Sequence, residues 1–584
     1  MKSRLERIGA FVAILALLFA APERASAAPG LQFSSYLGTM STDSVAGVAI
    51  DHDGNVYVVG TTTAPDLQVA HAAQPSLAGG TDLFVMKLSP DSRTVLYATY
   101  LGGSLDEEAK GIAVDAAGAV YVTGTTESLN FPVTPDAFDP DNGRFPVCQG
   151  TDCIDGFVTK IAPGGDALVY STYLGGEHDD YPEAIAVDAD GQACITGLTE
   201  SFGYPQVHAF NGHKQGGSQA FVTKMAADGK TAVFSSYVGG NKGESGYGVA
   251  AAPDGGVVIV GSTYSVDFNV KNAFQPNNAG GPDPVGNLDA FVLKVNAAGE
   301  LVFGTYLGGT GRDIARAVAV GADGTMYVAG ASSSSDFPTI APSQAALAGG
   351  TDAFLAVVAP NGETLERSTY LGGASDDDAY GVAAGAGGVA VAGLTESADF
   401  PVASAVQTAC GGCAAPGYFS DAFLTVFDPG VVESTFLGGS GVDAARAVAA
   451  VGGGFVVAGS TFSSNFPTTA GVVGHDCPCV AGSSANGFVA RIGEDAVEPS
   501  MPAIESVTGL KRPFRLDVRG SGFVPGAAVY IGTDTTPWPT AVVEATHVSI
   551  GGGKALKARF PKGVAVGVRV VNPDGGSATG AFAR

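Results

Sequence analysis

Short runs of alternating apolar and polar residues recur in a fixed order from Leu31 to about Ala496. In one copy, Gly111-Ile112-Ala113-Val114-Asp115 alternates as a first strand, and Ala119 to Thr125, with Val120, Tyr121 and Val122, follows as a second. Asp155 to Ile161, with Phe157 and Val158, reads as a third strand, and Leu168 to Leu174 as a fourth. Ala117-Gly118 and Pro163-Gly164-Gly165 supply the turns between them. Runs rich in Val, Ile, Tyr and Phe separated by Gly turns are antiparallel hairpins. Each copy ends on a Tyr-Leu-Gly-Gly-like run, marked by Leu37, Leu101, Leu174, Val238, Leu307, Leu371 and Leu437. No stretch of the unit has a helical period. Seven repeats of four strands predict an all-β chain folded as a seven-bladed β-propeller. The first copy opens with only a fourth strand, Gln32 to Gly38, and the seventh stops after its third, Gly487 to Ile492. A closed ring accounts for both ends: the N-terminal strand completes the last blade, and no sheet edge is left open.

The copies differ mainly between the second and third strands. In an up-and-down blade these loops share one face with the loops joining one blade to the next. Insertions gathered on one face of a rigid scaffold mark a binding face. Six of the seven cysteines fall in the insertions: Cys148 and Cys153, Cys410 and Cys413, Cys477 and Cys479. In an oxidising compartment these are disulfide candidates, with local pairs and a pairing between blades 6 and 7 both open. Zinc held by the last four is the competing reading. Cys194 replaces the second-strand Tyr and reads as a buried thiol.

The loops between blades carry acids, among them Asp106, Asp179, Asp180, Asp313, Asp377 and Asp443, and these are the candidate ligand-binding residues. Clustered carboxylates suit Ca²⁺, but the dense Asp-x-Asp-x-Asp-Gly pattern is missing, and a single repeated acid more commonly orders its own loop. No cofactor is therefore expected, with Ca²⁺ as the exception to test. His178, His208 and His213, near Asp179 and Asp180, are the only His/carboxylate group and the candidate transition-metal site. An aromatic follows the second strand in six copies, as in Asn130-Phe131-Pro132 and Asp399-Phe400-Pro401, and reads as packing.

The chain has 584 residues and a net charge of -27. So acidic a body argues against nucleic acid, whose phosphates require Lys and Arg. Residues 1–27 read as an export signal: Lys2, Arg4 and Arg7 precede the apolar run Ile8 to Ala21, and Ala25-Ser26-Ala27 is a cleavage site. No later run has spanning length. The propeller is expected over 28–496, a linker over 497–502, and a second domain over 503–584. There the period ends and the charge changes sign, with ten Lys/Arg against five Asp/Glu from residue 501 on. Short strands between Gly and Pro turns suit an immunoglobulin-like β-sandwich.

Two resemblances follow from these residues. Tyr170-Ser171-Thr172-Tyr173-Leu174-Gly175-Gly176, Ile185-Ala186-Val187-Asp188 and Ile195-Thr196-Gly197 resemble the bacterial seven-bladed beta-propeller repeat family (SBBP). Arg519-Gly520-Ser521-Gly522-Phe523 and Asn572-Pro573-Asp574-Gly575-Gly576 resemble the IPT/TIG immunoglobulin-like module. The resemblances imply an exported or surface-displayed bacterial protein and no fixed catalytic residues. The expected function is a monomeric, non-enzymatic binding or adhesion scaffold for an extracellular polymer, such as a carbohydrate, or a surface protein. The alternative is an extracellular lyase or glycan hydrolase with its site at the channel mouth. Converging carboxylates there favour the enzyme, and small repeated side chains favour binding.

Overall fold

The alternating runs pair as antiparallel sheets of four strands, one sheet per repeat. Blade 1 comprises Asp43–Ile50, Val56–Thr62, Asp82–Leu88 and Val95–Leu101, termed strands A to D from the inside outward. Blade 2 comprises Glu107–Val114, Val120–Thr126, Asp155–Ile161 and Leu168–Leu174. Strand A opens blades 3 to 7 at Asp180, Glu244, Asp313, Asp377 and Asp443. Together they form a seven-bladed propeller. The computed structural model describes residues 30–39, 41–141, 154–280, 288–413, 419–428, 431–474 and 485–493, and from 503 onward the backbone of seven further strands.

The seventh sheet draws on both ends of the repeat array. Its strands Asp443–Val451, Gly454–Thr461 and Asn486–Gly493 are joined on the outside by Gly30–Leu37, which runs antiparallel to Asn486–Gly493 with Tyr36 opposite Phe488. Alternation sends the two faces of this outer strand into different cores. Phe33 and Leu37 pack with Val45, Val58 and Val489, in the core shared with blade 1. Tyr36 packs with Leu424, Phe466 and Phe488, in the core shared with blade 6. The Tyr36 hydroxyl donates to the Ser463 carbonyl at 2.8 Å and accepts from the Phe466 amide at 2.9 Å. Tyr100 and Tyr173 make the same outer-strand contacts in blades 1 and 2. In blades 2 to 7 the aromatic after strand B is buried against the Phe of strand C, with centroids 4.4 Å apart for Phe131 and Phe157 and 4.7 Å for Phe400 and Phe423, and Leu67 takes its place in blade 1.

Strand A departs from the pattern read in the sequence. It begins at Glu107, not Gly111, because a β-bulge breaks the alternation between Ala109 and Gly111. All seven inner strands carry the bulge at the same register, from Val45/Gly47 in blade 1 to Ala445/Ala447 in blade 7. A bulge inserts one unpaired residue and re-aims its side chain. From residue 503 on, Ala503–Lys511, Phe514–Ser521, His547–Ile550 and Ala541–Glu544 form one antiparallel sheet. Ala528–Ile531, Ala565–Val571 and Ser577–Ala583 form a second. Residues 1–27 and 497–502 lie outside the described residues.

Removing residues 31–38 is expected to lower the melting temperature sharply, since two cores lose a wall and Asn486–Gly493 becomes an open edge. Tyr36→Ala alone is expected to cost about 3–5 kcal/mol in a denaturant titration, as for other buried aromatics. Normal melting of the truncated chain would show that the outer strand is dispensable.

Candidate functional site

The first residue of every strand A is a buried acid: Asp43, Glu107, Asp180, Glu244, Asp313, Asp377 and Asp443 are at most 2% exposed. Burying a carboxyl without partners is costly, so each must be hydrogen-bonded. In blades 2 to 7 the acid accepts from the second Gly of the preceding Gly-Gly, as in Gly373 N to Asp377 Oδ2 at 2.8 Å and Gly439 N to Asp443 Oδ2 at 2.7 Å. In the same blades it also accepts from a Ser in the loop after strand B, as in Ser397 at 2.9 Å and Ser463 at 2.7 Å. In blade 1, Asp43 accepts instead from the Thr39 amide at 2.6 Å and the Thr62 hydroxyl at 2.5 Å. The junction leaves no room for side chains at either glycine. A Cβ on Gly372 would lie 2.6 Å from Asp377 Oδ2 and 2.7 Å from Asp352 Cγ, and one on Gly373 would lie 2.7 Å from Ser397 Cβ.

A second buried acid faces the first in several blades. Asp352 opens strand C and accepts from Gln344 at 2.7 Å and from the Ala348 and Gly349 amides. Two carboxyls in one dry site raise each other's pKa, in addition to the effect of burial. Burial pushes Asp377 up to about 7, with Asp352 adding repulsion. Burial likewise pushes Asp289 to about 7 beside Asp313, and Asp443 to about 6 beside Asp421.

The bulge places one residue of each strand A, three positions after the buried acid, on the central channel. These are Ala46, Lys110, Glu183, Tyr247, Arg316, Tyr380 and Arg446, around a groove of about 210 Å³ that all seven inner strands line. The neighbouring positions are small or aliphatic, for example Gly111-Ile112, Gly248-Val249 and Gly381-Val382. Thus polar chemistry in the channel is concentrated at the bulge. Lys110 lies 3.0 Å from Glu108 and 3.7 Å from Glu183. Arg316 donates through Nε and Nη2 to both oxygens of Asp378, at 2.8 and 2.7 Å. Its guanidinium carbon lies 4.9 Å from the Tyr380 ring centre, and that of Arg446 lies 4.5 Å away. Burial, with the Asp378 charge, raises the Tyr380 hydroxyl above its ordinary pKa, so it stays a donor at neutral pH.

Arg316 and Tyr380 also floor a cavity of about 290 Å³ where blades 5 and 6 meet at the channel mouth. Arg312, Asp376, Asp378 and Glu396 complete its polar wall. Burial raises the Glu396 carboxyl, and the Asp376 charge adds to this. The cavity opens between the blade-to-blade loop of Arg312 and the end of strand B at Leu394, on the face that carries the variable loops.

The acids singled out in the sequence separate into two groups. Asp180, Asp313, Asp377 and Asp443 are the buried junction acids. Asp106 is exposed on the loop before Glu107, and Asp179 accepts from the Ile154 amide at 3.1 Å and the Tyr181 hydroxyl at 3.2 Å. His178, His208 and His213 are exposed, and the His208 ring contacts the Val233 carbonyl. Among the described residues no group of three or more His, Cys, Asp or Glu is arranged to hold a metal. Cys410 and Cys413 form a disulfide, with Cα atoms 5.6 Å apart. Cys148, Cys153, Cys477 and Cys479 lie outside the described residues. Cys194 is a free buried thiol, pushed up to about 12 by burial. The channel residues Lys110, Glu183, Arg316, Tyr380 and Arg446 escaped the sequence reading. Their signal was a column of unlike side chains at one fixed distance from the repeated acid.

The comparisons with known proteins agree with the fold. A family model described as Beta-propeller repeat (SBBP) matches residues 32–67 and 96–132. The Regulatory protein FlaEY of Caulobacter vibrioides is 25% identical over 285 residues, covering 48% of this chain and 26% of that protein. An uncharacterized WD repeat-containing protein, L264, of Acanthamoeba polyphaga mimivirus is 23% identical over 200 residues, covering 33% of this chain and 14% of that protein. Among solved structures, the WD40 beta propeller domain of Doa1 gives a TM-score of 0.38 at 11% identity, covering 80% of this chain and 98% of that one. The sheets themselves make the described residues an all-β protein built on a seven-bladed β-propeller, and the chain is similar to the beta-propeller repeat family over part of its length. Among the described residues no helix is long and apolar enough to cross a membrane.

The pKa shifts predict an acid-side stability optimum. A carboxyl raised in the folded state binds its proton more tightly there, so its stabilisation is complete below about pH 4 and is lost as pH rises through 6 to 7. Asp51 works oppositely. Burial tends to raise it, but hydrogen bonds from Asn55 and Tyr57 and the Lys87 charge together hold it low, so its contribution is lost on acidification. Melting scans are expected to show a maximum near pH 4 and a decline from there to about pH 7, and Asp377→Asn is expected to flatten that decline. Gly372→Ala is expected to cost about 1–3 kcal/mol by overpacking. A melting temperature that rises from pH 5 to pH 8 would contradict the raised carboxyls.

Proposed function

We propose that the chain is an exported, non-enzymatic binding scaffold whose ligand site is the channel mouth at blades 5 and 6. The observation that carries this reading is the bulge column. Six of its seven positions bear charged or aromatic side chains in a channel otherwise lined by small and aliphatic residues. Repeat scaffolds keep packing positions uniform and vary the positions that meet a ligand. The cavity lies within the size range of small-molecule sites only at its lower end, which suits one sugar unit or one side chain of a larger ligand. Asp376, Asp378 and Glu396 converge at this mouth, the feature expected of the alternative, an extracellular lyase or glycan hydrolase, which therefore stands as the second reading. Against it, Asp378 is held by Arg316 through both oxygens, an arrangement that supports orientation rather than proton transfer. The ligand is an extracellular polymer or a surface protein. The segment from 503 on is an immunoglobulin-like IPT/TIG module acting as spacer or docking unit. Residues 1–27 direct export, and the outer strand Gly30–Leu37 is what closes the ring.

A screen of the purified chain against polysaccharides, glycans and surface proteins, with and without EDTA, tests the reading. At least one is expected to bind, independently of EDTA. Tyr380→Ala or Arg312→Ala is expected to weaken that binding at least tenfold without unfolding the chain. No binding to any of them, together with turnover of a model glycan substrate, would reverse the assignment in favour of an enzyme. N-terminal sequencing of the exported chain is expected to begin at Ala28; retention of residues 1–27 would contradict the export reading.

A further inference from the structure

The charges on the bulge ring are paired except at one position. Lys110 is matched by Glu108 and Glu183, and Arg316 by Asp378. Arg446, from blade 7, has no carboxylate within ion-pair distance among the described residues, and it is the exposed member of the ring. Its guanidinium lies over Tyr380, which Arg316 approaches from the neighbouring blade on the other side. This stack holds the Arg446 fork in a set orientation, with the protonated Tyr380 hydroxyl beside it. A planar guanidinium held in place, next to a hydroxyl donor, matches the oxygens of a carboxylate or a phosphate.

We infer that the channel receives one anionic group, a carboxylate or a phosphate, on the single unit of the ligand that enters it, and that Arg446 and Tyr380 hold that group. This rests on the reading of the channel mouth as the ligand site and names the chemistry of its occupant. Two facts limit what enters to one compact unit bearing a single anionic group. The groove holds about 210 Å³. The chain carries a net charge of -27, and Asp376 and Glu396 stand at the mouth, so an extended polyanion is repelled before it arrives. A compact ligand with one anionic group and a neutral, hydroxyl-rich remainder meets no such barrier. Its anion pairs with Arg446, and its hydroxyls face the acids and Arg312 at the rim.

Calorimetric titration of the full chain with glucuronate, glucose 6-phosphate and glucose tests this. Glucuronate, glucose 6-phosphate or both are expected to bind, which distinguishes the two anion sources, and glucose is expected to bind at least tenfold more weakly. Arg446→Met keeps the apolar stem and is expected to lower anion affinity at least tenfold with an unchanged melting temperature. Arg446→Lys is expected to recover part of the loss. Tyr380→Phe is expected to have a smaller effect. Equal binding of glucose and the anions would overturn the inference, as would anion affinity unchanged by Arg446→Met. If that variant leaves binding intact while Tyr380→Ala abolishes it, the anion assignment fails and the mouth remains the ligand site. If neither variant alters any binding, both readings fail.

Discussion

The buried carboxyl that opens each inner strand is the contact on which the propeller depends. In blades 2 to 7 it ties the Gly-Gly ending the previous blade and the first residue of strand A to the Ser after strand B, about a third of a repeat further on. An apolar residue at that position would leave the Gly amide and the Ser hydroxyl without their acceptor in a dry site. Because the junction recurs between successive blades, it sets how each blade is offset from the last. The blade-to-blade cores, filled by residues such as Val58, Phe84, Val260 and Phe354, then supply the apolar burial that makes the offset stable.

The same junction determines what reaches the channel. Since the acid is held at the start of strand A, the bulge three residues later always occupies the same height in the channel. A bulged residue is released from the ladder and from the alternation of faces, so its identity is free to change without disturbing the sheet. That freedom explains how Ala46, Glu183, Tyr247 and Arg446 occupy equivalent positions in a repeat whose packing residues scarcely vary. The structural repeat and the candidate site are therefore two consequences of one local arrangement.

The strands that follow the period were legible in the sequence. Asp155–Ile161 and Leu168–Leu174 fall where alternation and the Pro-Gly-Gly turn place them. Strand A was read too short, because the bulge interrupts the period of two and because an acid at a strand start looks like part of a polar loop. For the same reason Asp313, Asp377 and Asp443 read as acids of the blade-to-blade loops that order their own loop; they are such acceptors, but they sit buried at the first position of strand A. The channel residues were hidden more deeply. Nothing in Lys110 or Arg446 taken alone distinguishes a channel side chain from a surface one; only their shared register does. The cation-aromatic stack of Arg316, Tyr380 and Arg446 spans three blades, and no local pattern within one repeat encodes it.

Infrared titration of the folded chain examines the junction acids directly, through the carbonyl band of protonated carboxyls. The band is expected to persist at pH 6 and to disappear between about pH 6 and 8, in line with the values of about 7 for Asp289 and Asp377 and about 6 for Asp443, and to weaken in Asp377→Asn. Complete loss of the band by pH 5 in a chain that stays folded would mean that these carboxyls are ionised near their ordinary pKa, which would contradict a dry junction between blades.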